Sequence, residues 1–93
     1  MKFYHGTNQF GLNETKKQGF LLHKREVKGF HLSPCTYLTD DIKEAKKYGD
    51  VIMEVEYNPF NNPKMNNYQK DCWQLRVYEP IYKYKIIKWK HIK

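Results

Sequence analysis

An α+β fold is what the residue pattern predicts, and three stretches carry the prediction. Residues 50–57 alternate, with Val51, Met53, Val55 and Tyr57 facing one way and Ile52, Glu54 and Glu56 the other, as in a half-buried strand. Residues 37–49 read as a strand end, a short capped helix and a helix stop. Turn residues are closely spaced, most densely in Asn58-Pro59-Phe60-Asn61-Asn62-Pro63, so the elements around them are short. Short strands mixed with short helices point to α+β.

Taken in order, Lys2-Phe3-Tyr4-His5 predicts a first strand, with Phe3 and His5 on one face and Tyr4 on the other. Gly6-Thr7-Asn8 ends it, and glycine there lets a backbone or a ligand come close. Asn13 is a candidate cap for a helical turn over 14–18 that Gly19 stops. Phe20-Leu21-Leu22 is a brief apolar run, and 23–28 is charged and expected to be exposed. Gly29-Phe30-His31-Leu32 predicts a second short strand or an extended segment before Ser33-Pro34, where proline biases its predecessor away from helix. Tyr37-Leu38 then leads into the central helix.

In that helix Thr39 is the expected N-cap, and Asp40 and Asp41 lie where the dipole favours carboxylates. Ile42, Ala45 and Lys46 share a side, Lys46 and Lys47 sit near the C-terminal end, and Gly49 supplies the closing conformation. After the 50–57 strand, the stretch to about Tyr68 is expected to be the least structured of the chain. Trp73 to Tyr78 predicts a strand ended by Glu79-Pro80, and Ile81 to Trp89 a last one. On the last, Tyr82, Tyr84 and Ile86 share one face and Lys83, Lys85, Ile87 and Trp89 the other; its lysines suit a sheet edge. The sum is about five or six short strands and one or two short helices.

Ninety-three residues predict one small domain over 1–93. Its aromatic content of 16% implies a core rich in Tyr and Phe. A net charge of +7 favours anionic partners, among them nucleotides, nucleic acid or an acidic protein. The two cysteines, Cys35 and Cys72, lack metal-ligand spacing, and His5, His23, His31 and His91 are scattered, so no metal site is expected. No stretch suits a signal peptide or a membrane span, so the expected setting is the cytoplasm, with reduced thiols and no membrane partner.

Four features then line up: a strand ending in His5-Gly6-Thr7, a second ending in Tyr37-Leu38-Thr39, Tyr48 eleven positions after Tyr37, and a late strand beginning Gln74-Leu75-Arg76-Val77-Tyr78. In this order Tyr4-His5-Gly6-Thr7, Tyr37-Leu38-Thr39 with Tyr48, and Gln74-Leu75-Arg76-Val77-Tyr78 resemble the ADP-ribosyltransferase fold. The similarity is to its diphtheria-toxin-like and poly(ADP-ribose) polymerase-like branch, whose late strand starts Glu-x-x-Val-Tyr. The resemblance spans most of the chain and implies a small split-sheet fold. It implies NAD as co-substrate and a macromolecular acceptor, protein favoured over nucleic acid. It implies a catalytic set of His5, Tyr37 and Gln74, and a nucleotide-binding set of His5, Gly6, Thr7, Tyr37 and Tyr48.

Chemistry makes these roles intelligible. Gly6 can offer backbone N–H and C=O to a carboxamide with no side chain in the way. His5 can hydrogen-bond a ribose hydroxyl, and Tyr37 and Tyr48 can stack on the nicotinamide, each stack contributing about 1 kcal/mol. Cleaving the ribose–nicotinamide bond develops oxocarbenium character. Where the family carries Glu, this chain carries Gln74, which accepts a hydrogen bond but brings no charge and is no general base. Glu54, Glu56 and Glu79 are candidate stand-ins.

Two other classes stay open. One is a binding module or inhibitor that keeps the fold without the reaction. The other is a basic nucleic-acid-binding domain using Lys83, Lys85, Lys88, Lys90 and Lys93 interleaved with Tyr82, Tyr84 and Trp89. Small size, basic charge and abundant Lys, Asn, Ile and Tyr fit a phage or mobile-element effector acting on a host protein.

Overall fold

The structure, a computed structural model, describes residues 1–27, 30–69 and 74–87. Cys72, Trp73, Lys88, Trp89, Lys90, His91 and Lys93 therefore lie outside the described residues. The elements are β1 (Lys2–Thr7), α1 (Gln9–Gln18), β2 (His23–Val27), β3 (Phe30–Leu38), α2 (Ile42–Ala45), β4 (Val51–Glu56), β5 (Leu75–Val77) and β6 (Tyr84–Ile87). Single 3-10 turns occupy Lys46–Tyr48, straight after α2, and Pro63–Met65. The fold is α+β. Its strands form two antiparallel three-stranded sheets, ordered β1-β4-β6 and β2-β3-β5.

The first sheet rests on the alternation seen in the sequence. Phe3 pairs with Val55 and His5 with Met53 across β1 and β4, and these side chains are buried. Phe3, Met53 and Val55 join Leu12, Leu21, Leu38, Leu75, Val77 and Ile81 in one core. Ile52 is buried too, although it lies on the opposite face of β4 from Met53. Beside it, Gly6 meets the carbonyl of Ala45, so α2 covers this face at the start of β4. Tyr84 and Ile86 on β6 pack against the core, and Lys85 between them is exposed.

The second sheet adds one strand and corrects one expectation. Residues 23–27 form β2, and β3 does not stop before Ser33-Pro34 but runs unbroken through them. His23 pairs with Cys35 but Arg25 with Leu32, so Ser33 and Pro34 together oppose Lys24. That bulge accommodates a proline, which cannot donate to a ladder. Pro34 also precedes the β5 ladder, which starts at Thr36 opposite Val77.

Helix α1 begins earlier than the expected 14–18. Asn8, not Asn13, is the N-cap, its side chain accepting from the Gly11 N–H at 2.9 Å. A side chain at Gly11 would meet the Thr7 hydroxyl, which explains a glycine inside this helix. Gly19 ends it in the left-handed conformation, φ 87°. The central helix is shorter than expected and shifted. Asp41 caps it by accepting from the Lys43 N–H at 2.9 Å, while the Thr39 hydroxyl accepts from the Asp41 N–H at 3.1 Å.

The stretch 58–68 is well tied rather than loose. Asn66 donates to the carbonyls of Pro59 (3.0 Å) and Asn62 (3.1 Å) and to the Tyr57 hydroxyl (3.1 Å), and accepts from the Tyr68 N–H. Asn67 accepts from the Arg76 N–H, and Tyr78 donates to the Met65 carbonyl. Pro59 is fully buried. This segment thus covers the edge of β5 that β3 leaves open, and so holds the strand on which Gln74 enters.

No helix among the described residues is long and apolar enough to cross a membrane.

Candidate functional site: a cleft where the two sheets part

Among the described residues an isolated bridge joins β1 of the first sheet to the end of β3 in the second. Tyr4 of β1 donates to the Thr39 carbonyl at 2.7 Å and accepts from the Thr39 N–H at 2.9 Å. Beyond it the strands part, and a cleft of about 340 Å³ opens. Its lining includes His5, Gly6, Tyr37, Tyr48 and Gln74. A volume of that order suits a small organic ligand or one end of a larger one.

The bridge fixes which way the backbone of β1 points. In an antiparallel strand, N–H and C=O groups of successive residues face opposite edges. Those of Tyr4 face Thr39, away from β4. Gly6, two residues on, directs its N–H and C=O the same way, past the bridge and toward the parted edge. Its register partner in β4, Ile52, is for the same reason a pair without ladder hydrogen bonds. The cleft therefore presents one donor and one acceptor side by side, on a residue with no side chain.

Gly6 is glycine for a second reason. A Cβ there would run into the Ala45 carbonyl, with the Tyr48 Cβ at 3.2 Å. The close approach of α2 to β1 sets Tyr48 beside the cleft. Gly49, at φ 153°, closes the turn after it, and a Cβ there would strike the Thr7 carbonyl. The short helix, its glycine stop and the end of β1 are one packed unit.

His5 is buried, at 8% exposed. Its Nδ1 lies 2.8 Å from the Tyr37 carbonyl oxygen. A carbonyl only accepts, so Nδ1 carries a proton, and in the neutral ring Nε2 is an acceptor. The imidazole thereby locks β1 to β3 and also fixes its own tautomer. Tyr37 and Tyr48 are 38% and 56% exposed, so surface of each remains open to a ligand. Gln74 is half-buried at the head of β5, whose register with β3 sets Leu75 against Leu38 and Arg76 against Tyr37.

Of the six residues singled out from the sequence, His5, Gly6, Tyr37, Tyr48 and Gln74 share this cleft. Thr7 does not line it; its hydroxyl lies against Gly11. None of the carboxylates considered as stand-ins lines it either. Glu54 pairs with Lys2 at 3.5 Å, Glu56 with the N-terminal ammonium at 2.9 Å, and Glu79 accepts from the Tyr57 hydroxyl at 3.3 Å. That ammonium holds the Glu56 carboxyl below its ordinary range. Tyr4, Leu38, Thr39 and Ala45 complete the lining and were not foreseen, because the bridge that assembles them joins residues far apart in the chain.

A shallower hollow begins on the far side of Thr39, lined by Asp40, Asp41 and Glu44. Glu44 there pairs with Lys47 at 3.0 Å, which holds the ammonium above its ordinary range. Among the described residues no group of three His, Cys, Asp or Glu is placed to hold a metal. Cys35 is buried and unpaired. Comparison of the chain with protein-family models, curated proteins and solved structures gives no match.

Proposed function

We propose that the chain is an NAD-dependent ADP-ribosyltransferase that releases nicotinamide and passes ADP-ribose to a macromolecular acceptor. The observation that carries this reading is the backbone of Gly6. Its donor and acceptor face a cleft that Tyr37 and Tyr48 also line. A carboxamide on a flat ring matches that pair, and a ring between two tyrosines gains stacking energy. His5 Nε2 then accepts from a ribose hydroxyl. As the glycosidic bond breaks, its electron pair passes to the ring nitrogen, and nicotinamide leaves neutral. The oxocarbenium left behind is captured by the acceptor, whose proton goes to solvent.

A second reading, nucleotide binding without turnover, is favoured by one observation. Among the described residues no carboxylate lines the cleft, and Gln74 supplies only an uncharged acceptor toward a ribose hydroxyl. A nucleic-acid surface on β6 has less support, because Tyr84 is partly buried against the core, which leaves Tyr82, edge-on to Phe20 at 5.8 Å, as the exposed tyrosine of that stretch.

Incubation with NAD and cell lysate separates the readings. The enzyme releases nicotinamide and labels a macromolecule, and both signals fall in His5→Ala and Tyr37→Ala. Calorimetric binding of NAD with neither signal leaves the binding module. Absence of binding and turnover removes both.

A further inference from the structure

Tyr4 lines the same cleft and is half-buried. Its backbone is pinned by both hydrogen bonds to Thr39, so its position on the wall is fixed. Side chains alternate along β1, which puts Tyr4 on the face opposite His5 and on the same face as the Cα hydrogen of Gly6 that meets Ala45 and Tyr48. Its phenolic hydroxyl has no hydrogen-bond partner among the described residues. In a half-buried side chain that hydroxyl is left for solvent or for a ligand.

We infer that Tyr4 is a specificity-determining residue of the cleft, its hydroxyl donating to the polar edge of the bound ring. This rests on the reading of the cleft as a nicotinamide site. A carboxamide has two acceptor lone pairs and two donor hydrogens, of which the Gly6 backbone satisfies one each. Tyr4 supplies a second donor from two residues along the same strand. The cleft thus reads the carboxamide through a side chain as well as through the main chain. A ring that lacks the carboxamide gains nothing from the phenol.

The test is a pair of titrations, followed by NMR, with nicotinamide and with 3-methylpyridine, which keeps the ring and loses the carboxamide. They are run on the wild-type protein and on Tyr4→Phe. Removing one neutral hydrogen bond weakens nicotinamide binding by about five- to tenfold. Binding of 3-methylpyridine stays within about twofold, which also reports an intact cleft in the variant. An unchanged preference for nicotinamide in Tyr4→Phe overturns the inference and leaves the nicotinamide site standing. Failure of the wild-type protein to bind nicotinamide or NAD overturns both.

Discussion

The imidazole of His5 is bonded through Nδ1 to the main chain of Tyr37, 32 positions away, at 2.8 Å. One side chain therefore ties the ends of β1 and β3 together and leaves its own Nε2 as an acceptor. His5→Ala removes both roles. Losing this part-buried bond costs about 1 kcal/mol of stability, read by denaturant unfolding. NAD affinity drops about tenfold while nicotinamide, which does not reach the ribose contact, loses less. Equal losses for the two ligands contradict the ribose role.

Gln74 lines the cleft and carries no charge. On the proposed reading, Gln74→Glu brings a carboxylate to the ribose hydroxyl as positive charge develops. A charge-assisted bond is roughly twice as strong as a neutral one, and about 1.4 kcal/mol in the transition state is tenfold in rate. NAD turnover in Gln74→Glu should rise about tenfold, measured as nicotinamide released. A fall in turnover shows that Gln74 does not hold the ribose.

Gly6→Ala puts a methyl group into the Ala45 carbonyl. A clash with backbone cannot be relieved by a rotamer, so α2 must move away from β1. The expected cost is about 1–3 kcal/mol, as for other overpacked sites. Because Tyr48 moves with α2, nicotinamide binding is also lost. An alanine variant with wild-type stability contradicts this packing.

Tyr57 carries the alkaline prediction. Burial, followed by the charge of Glu79, raises its phenol above the ordinary value of 10.0, against the opposing effect of the Asn66 donor. The folded state thus holds the proton more tightly than the unfolded chain does. Its contribution is intact below about pH 10 and is lost as pH rises through the folded-state value. Stability of the wild-type protein should fall across that window, and Tyr57→Phe should flatten the fall. A parallel fall in both proteins places the titration elsewhere.

Much of this architecture could be read from local pattern. The alternation of 50–57 is that of β4, and Gly19 closes α1 in the left-handed conformation, whereas Gly49, at φ 153° and ψ −175°, follows the 3-10 turn in a different one. What escaped depended on partners distant in the chain. Asn13 resembled a cap, but Thr7 against Gly11 lets α1 start at Gln9. The strand expected before Ser33-Pro34 continues through them, because the bulge opposite Lys24 absorbs the proline. The loop after Tyr57 resembled slack, but Asn66 gathers its carbonyls into one knot. The site was legible as a set of residue types in order. Its assembly was not, because the bridge from Tyr4 to Thr39 joins two stretches with no local signal for each other.

A crystal structure of the protein soaked with NAD tests the central claim most directly. The predicted result is the nicotinamide ring between Tyr37 and Tyr48, its carboxamide on the N–H and C=O of Gly6, and a ribose hydroxyl within hydrogen-bond reach of His5 Nε2. A dinucleotide seated elsewhere, or a vacant cleft at saturating NAD, contradicts it.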